Sequence, residues 1–395
     1  MSKIKPSDKL SALPPYLFSR INALKKEAYE KNLDVIDLGM GNPDLPTPNH
    51  IIDRLVDTVK NHPKTHRYPQ AKGMPRFRKA VSNWMQNRFN ISLDPESEIL
   101  ALVGSKEGVA HFCMSYLNPG DIALVSDPCY PVNFNGVILA GGQVHYIPLT
   151  AENKFLPDLS KIPASVAKKA KLFFLNYPNN PTSAVVEDKS FLYEVIDFVK
   201  KYDILLVYDN AYSELTFGGY VSPSIFEIPG AKDVAVEFHS FSKTFNMAGW
   251  RIGWVCGSKN LIGPLEKFKS FLDYGAPTFI QLAAAAALEG PQDCVREQAQ
   301  IYERRMKKVV SELNKIGWPC EETKGTMYVW LKLLPKFEKM GSLAFAEKLI
   351  QEKGVVLAPG VGFGQHGEGY IRIALVTHDN RFHDMALRLK ELLKQ

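Results

Sequence analysis

The chain has 395 residues, 45% hydrophobic and 23% charged, with a formal net charge of +6. That is globular composition, long enough for one large domain and a smaller one. The small, scattered positive charge argues against a nucleic-acid surface, and the longest apolar run, residues 282–288, is too short and alanine-rich to span a membrane.

Five cysteines (113, 129, 256, 294 and 320) without a Cys-x-x-Cys argue against a disulfide framework or a zinc site. No apolar run follows Met-Ser-Lys-Ile-Lys-Pro at the start, so the expectation is a soluble cytoplasmic protein.

In chain order, residues 14–32 predict a helix and 35–38 a short strand that runs into the Gly- and Pro-rich turn 39–44. Helices are expected over 49–59 and 75–89. From residue 99 short apolar runs alternate with helices. Strands are predicted at 99–103, 122–125, 144–148, 172–175, 204–208, 234–238 and 252–256, with a helix at 191–201 among the connections. This alternation predicts an α/β domain with a mainly parallel seven-stranded sheet, whose ligands bind beyond the carboxyl ends of the strands. A long helix over 293–315, strands at 327–331, 355–357 and 370–376, and helices at 342–352 and 381–393 predict a smaller α+β domain. The expected division is 49–290 for the large domain, with 1–48 and 291–395 forming the small one.

The stretch 239–254, His-Ser-Phe-Ser-Lys-Thr-Phe-Asn-Met-Ala-Gly-Trp-Arg-Ile-Gly-Trp, stands out. Lys243 follows an apolar run, where desolvation favours the neutral, nucleophilic amine. Ser240 and Ser242 flank it. Arg251 lies between Gly249 and Gly253. Hydroxyls, close backbone approach and a fixed charge suit a phosphate. An amine beside a phosphate cradle suggests a phosphate-bearing aldehyde held as a Schiff base, which is pyridoxal 5'-phosphate (PLP).

Other strand ends carry matching groups, each with a plainer alternative. Ser105 and Lys106, in a Gly-Ser-Lys-Glu-Gly strand-to-helix junction, are a phosphate site or an ordinary glycine turn. Tyr130 stacks on a pyridine ring or simply packs. Asn180, held extended by Pro181, donates to a ring oxygen or shapes a turn. Asp209 ends an apolar strand and either partners a pyridine nitrogen or caps a helix. Tyr212, three residues on, is placed to reach the ring oxygen. Arg372 clasps an α-carboxylate with two hydrogen bonds or lies on a half-exposed strand.

Together these residues resemble the PLP-dependent aminotransferases of classes I and II, fold type I, over essentially the full length. The motifs are Ser-Phe-Ser-Lys-Thr-Phe-Asn-Met-Ala-Gly-Trp-Arg-Ile-Gly, Asn-Tyr-Pro-Asn-Asn-Pro-Thr and Tyr-Asp-Asn-Ala-Tyr. The resemblance implies that Lys243 is the Schiff-base lysine and Asp209 meets the pyridine nitrogen. It places Asn180 and Tyr212 on the ring oxygen and stacks Tyr130 on the ring. Ser105, Lys106, Ser240 and Arg251 go to the phosphate, with Ser242 close by. Tyr68 would reach the phosphate of a neighbouring subunit, which implies a homodimer with shared sites. Tyr16, Gly41, Asn180 and Arg372 would bind substrate. Ser183 departs from the family, where many members have glycine after Asn-Pro-Thr.

The opening around Tyr16 and the Asp-Leu-Gly-Met-Gly-Asn-Pro-Asp and Gly-Ser-Lys-Glu-Gly motifs are similar to the LL-diaminopimelate aminotransferase branch. Asp-Tyr-Gly at 273–275, Glu-Gly-Pro-Gln-Asp-Cys at 289–294 and Met-Tyr-Val-Trp at 327–330 are closer to the glutamate–pyruvate (alanine) aminotransferases. The expected reaction is transamination of one of these donors with 2-oxoglutarate. A carbon–sulfur lyase is the alternative on the same fold, and a PLP-sensing regulator a more distant one.

Overall fold

The computed structural model describes residues 4–14 and 17–394, the side chains of residues 17 and 18 excepted. The Tyr16 assignment lies outside the described residues. In chain order the strands are β1 (Ile36–Asp37), β2 (Ile99–Leu102), β3 (Ile122–Asp127), β4 (Gln143–Pro148), β5 (Ala170–Asn176), β6 (Leu205–Asp209), β7 (Ala235–Ser240), β8 (Gly253–Gly257), β9 (Tyr328–Lys332), β10 (Val355–Val356), β11 (Ala358–Pro359) and β12 (Tyr370–Ala374). Seven of them form one sheet in the order β2-β8-β7-β6-β5-β3-β4. β8 alone runs antiparallel, to both β2 and β7. The other pairings are parallel, so the expected mainly parallel seven-stranded α/β sheet is present.

The central strands are buried on both faces, which explains their near-continuous apolar runs. Leu100, Val125, Phe174, Val207 and Phe238 pack on one side against the helix Ser105–Tyr116. Leu124, Phe173, Leu206 and Tyr208 pack on the other against the helix Ser190–Tyr202. Each fully buried phenylalanine contributes about 2–3 kcal/mol.

A separate apolar cluster unites the helix Asp293–Lys315, through Tyr302, Met306, Val309 and Leu313, with β9, β12 and the helices Ser342–Lys353 and Asp379–Leu393. β11, β12 and β9 form a three-stranded antiparallel sheet there, and β1 pairs in parallel with β10.

Three differences from the sequence expectations matter. β7 extends to Ser240 rather than stopping at residue 238, so His239 and Ser240 belong to the sheet. β8 begins at Gly253 rather than residue 252, so Ile252 joins Arg251 in the connection before it. The helices Val132–Leu139, Lys259–Leu272 and Thr278–Glu289 do not stand out in the sequence pattern. Pro264 inside the second obscures its periodicity, and alanines blur the apolar stripe of the third.

Candidate active site

The site is built beyond the carboxyl ends of β5, β6 and β7, where a parallel sheet leaves a crevice. Because β8 is antiparallel, the residues before it return to that same edge. Ser240 is the register partner of Gly253. A side chain on Gly253 would come within 3.1 Å of the Ser105 backbone nitrogen, and one on Gly104 would collide with the Arg251 guanidinium. These glycines let Ser240, the first turn of the helix Ser105–Tyr116 and Arg251 converge. No side chain caps that helix, so its leading N–H groups remain available to an anion. Arg251 is exposed, takes a left-handed φ of 55°, and donates to the Ala248 carbonyl at 2.9 Å. The Ser242 N–H donates to the Ser240 hydroxyl at 3.2 Å. Lys106 is exposed, its ammonium 6.0 Å from the ring centre of half-buried Tyr130.

Below this cradle the helix is braced by buried charge. Lys269 is fully buried and bonds Glu107 at 2.8 Å and Asp273 at 2.9 Å. Burial opposes the Glu107 charge, but His111 and Lys269 outweigh it and hold the carboxyl down at about 2.

Asp209 closes β6 and is buried. One oxygen accepts from the Ala211 N–H at 3.1 Å. Residues 211–214 form turns, so the alternative of a helix cap is replaced by a local turn that holds the carboxylate. Among the described residues no cation pairs with it. Burial pushes its carboxyl up to about 6, against the Ala211 hydrogen bond and the nearby His239. A pyridine nitrogen bearing a proton is the complement such a carboxylate lacks.

Lys243 sits in the short helix Phe241–Thr244 directly after β7. Its half-buried side chain donates to the Gly41 carbonyl at 2.6 Å. Burial draws the ammonium below the usual lysine range, Tyr328 opposes this, and the Arg372 and Arg251 cations add to it.

Arg372 is only 4% exposed, which overturns the half-exposed strand alternative. It donates to Asn180 Oδ1 at 2.7 Å and to the Gly39 carbonyl at 2.9 Å. Its guanidinium carbon lies 4.1 Å from the Tyr328 ring centre and 4.5 Å from that of Phe363. Its buried Nε has no partner, which leaves a donor for a carboxylate. Asn180 Nδ2 donates in turn to the Tyr212 hydroxyl at 3.3 Å.

Gly41 and Tyr68 complete the residues assigned from the sequence. Gly41, expected to offer backbone to a substrate carboxylate, holds the lysine amine with its carbonyl, and a side chain there would collide with the Tyr328 hydroxyl. Tyr68 is 89% exposed with its ring 5.7 Å from Tyr274.

Sequence reasoning missed Tyr328. It is buried, and its hydroxyl lies 3.1 Å from that of Tyr212. The available signal was strand alternation: Tyr328 and Trp330 face one side of β9, as Arg372 and Tyr370 do on the paired β12. Ser183 also does more than shape a turn. It adopts φ 60°, where glycine is usual, and its hydroxyl donates to the Tyr328 carbonyl at 2.9 Å and meets Thr326 Oγ1 at 2.7 Å.

An amine of lowered basicity, a buried carboxylate without a cation, an open anion cradle and a guanidinium with a free N–H fit PLP and an amino acid together. The family model described as aminotransferase class I and II matches residues 33–388. The chain is 47% identical over 385 residues to an LL-diaminopimelate aminotransferase of Moorella thermoacetica, covering 98% of this chain and 97% of that one. It is 43% identical over 386 residues to the glutamate-pyruvate aminotransferase AlaC of Escherichia coli, covering 98% and 93%. Among solved structures, substrate-bound BacF of Bacillus subtilis has 37% identity and a TM-score of 0.94, covering 99% and 98%. A probable N-succinyldiaminopimelate aminotransferase of Thermus thermophilus has 34% identity and a TM-score of 0.89, covering 95% and 99%.

Proposed function

The chain belongs to the class I and II aminotransferases, and from that footing we propose that its physiological donor is LL-diaminopimelate, with 2-oxoglutarate as acceptor. It is an enzyme that carries out PLP-dependent transamination of an amino acid. The observation that carries the choice of donor is 47% identity over nearly the whole chain to an LL-diaminopimelate aminotransferase. L-Alanine is the second reading, favoured by the 43% match to a glutamate–pyruvate enzyme and by the Asp-Tyr-Gly stretch at 273–275.

When bound, PLP supplies an electron-accepting ring conjugated to the substrate α-carbon. In this reading Asp209 keeps the pyridine nitrogen protonated, and Asn180 and Tyr212 donate to the ring oxygen. Ser105, Ser240 and Arg251 bind the phosphate, with Lys106 and Ser242 adjacent, and Tyr130 lies against the ring. Arg372 clasps the α-carboxylate. Lys243 would hold the cofactor's aldehyde carbon and, once freed by the donor amine, its amine of lowered pKa would serve as the base for the α-proton.

A homodimer is part of the same proposal. Exposed Tyr68, Phe271, Leu272 and Tyr274 support it, since large apolar side chains grouped on a surface favour a partner. Tyr68 then completes the phosphate site of the neighbouring subunit. A cytoplasmic location is also proposed, and fractionation of expressing cells tests it.

The deciding experiment mixes PLP-loaded protein with single amino acids, without an oxo acid, and follows the visible absorption of the lysine-bound cofactor. Loss of that band with LL-diaminopimelate and not with L-alanine is expected. The reverse pattern selects the alanine reading.

A further inference from the structure

Tyr212 has one proton and two potential hydrogen-bond directions already occupied by protein. A phenol can donate once and accept more than once. The Asn180 amide orientation is fixed from outside. Arg372 only donates, and it meets Asn180 Oδ1 at 2.7 Å, so Asn180 Nδ2 must face Tyr212 and donate to it at 3.3 Å. The second neighbour is the Tyr328 hydroxyl at 3.1 Å. If Tyr212 donated to Tyr328, no proton would remain for a ligand. If Tyr328 donates, the Tyr212 proton is free.

We propose that Tyr328 is a positioning residue, whose hydroxyl donates to Tyr212 and thereby aims the single Tyr212 proton at the cofactor ring oxygen. The inference rests on the reading above that Tyr212 serves that oxygen. Tyr328 is held for the purpose. Its carbonyl accepts from Ser183, its ring lies against Arg372, and it meets Tyr212 edge-on with centroids 5.9 Å apart. Gly41 leaves the space its hydroxyl fills.

The acidities of the pair agree. Burial opposes Tyr328 ionisation, but Arg372, Lys243 and the bond to Tyr212 outweigh it and hold its hydroxyl below the usual phenol range. Burial pushes Tyr212 well above that range, with Tyr328 adding to the effect. The more acidic hydroxyl of two is the better donor.

The test titrates the visible absorption of the PLP-loaded protein with pH, in wild type, Tyr328→Phe, Tyr212→Phe and the double variant. Tyr328→Phe removes the hydroxyl and keeps the ring against Arg372. Without the bond that Tyr328 donates, Tyr212 is a less polarised donor and stabilises the ring-oxygen anion less, so the midpoint of proton loss rises by about half a unit to one unit. Tyr212→Phe raises it at least as far, and the double variant goes no further than Tyr212→Phe alone. The KM for the amino donor in Tyr328→Phe stays within about twofold, because the Arg372 contacts are intact. An unmoved midpoint in Tyr328→Phe, or additive shifts in the double variant, overturns the inference. So does a Tyr328→Phe protein that takes up no cofactor, since loss of an aiming hydrogen bond leaves the cradle whole. A wild-type protein with no such band overturns the Lys243 assignment and this inference together, whereas an unmoved midpoint in a protein that has the band overturns this inference alone.

Discussion

Asp209 offers a direct measure of what the site costs before it is filled. Its carboxyl is shifted from 3.8 to about 6 by burial. A shift of about two units corresponds to roughly 3 kcal/mol. The sign follows from linkage. An acid whose folded pKa is raised binds its proton more tightly when folded, so the cofactor-free protein loses stability as pH rises from about 4 and has lost the full amount above about 6. Asp209→Asn keeps an oxygen for the Ala211 N–H and removes the charge. Cofactor-free Asp209→Asn is therefore expected to exceed cofactor-free wild type in stability by about 3 kcal/mol at pH 8, and by roughly half that at pH 5. Urea unfolding of both proteins at matched concentration at the two pH values reads the difference. With PLP added, the order of usefulness reverses, and the variant loses turnover on the order of a hundredfold or more because the pyridine nitrogen has no ionised partner. A cofactor-free variant that is no more stable than wild type at pH 8 would refute the reasoning, since Asp209 would then already have its counter-charge.

Lys243→Ala is expected to abolish turnover with an unchanged far-UV circular dichroism spectrum, and measurable turnover would remove Lys243 from the chemistry. Arg372→Lys keeps the charge but cannot hold Asn180, the Gly39 carbonyl and a carboxylate at once. The KM for the amino donor should rise on the order of a hundredfold, about 3 kcal/mol, and an unchanged KM would place the carboxylate elsewhere. Ser183→Ala keeps the left-handed backbone and loses two hydroxyl contacts, so thermal unfolding should show a loss of about 2 kcal/mol. Ser183→Gly, which relieves the backbone, should be the more stable of the two, and the opposite ranking contradicts the account.

Much of this site was legible because its chemistry sits where strands stop. Asp209 and Lys243 each interrupt or follow a run of apolar residues, and a charge in such a place has to be explained. Arg372 was harder. Between Ile371 and Ile373 it reads as the solvent side of a half-buried strand, and only the packing of Tyr328 and Phe363 over its guanidinium reveals a buried face. Tyr328 itself was hidden for the opposite reason. In Met-Tyr-Val-Trp an aromatic residue is ordinary core material, and its partner Tyr212 is 116 positions away. The direction of β8 also escaped the one-dimensional pattern. Alternation predicts that a strand exists but not which way it runs. Tyr68 is a different case, since the role assigned to it requires the proposed second subunit.

The connection between β7 and β8 has a consequence for how this protein can change. Ser240 and Gly253 are paired across the two strands, so residues 241–252 form an excursion pinned at both ends. It carries Lys243 and Arg251 together. Beyond it, Trp254 and Cys256 belong to one apolar cluster and Val255 to another, on opposite faces of the sheet. A single residue inserted or deleted there must be taken up inside the excursion, because otherwise β8 slips by one and exchanges those faces. Drift can therefore rewrite letters in this excursion far more readily than it can alter their number. The spacing of eight between lysine and arginine thus depends on the pairing of β7 with β8 as well as on the residues between them.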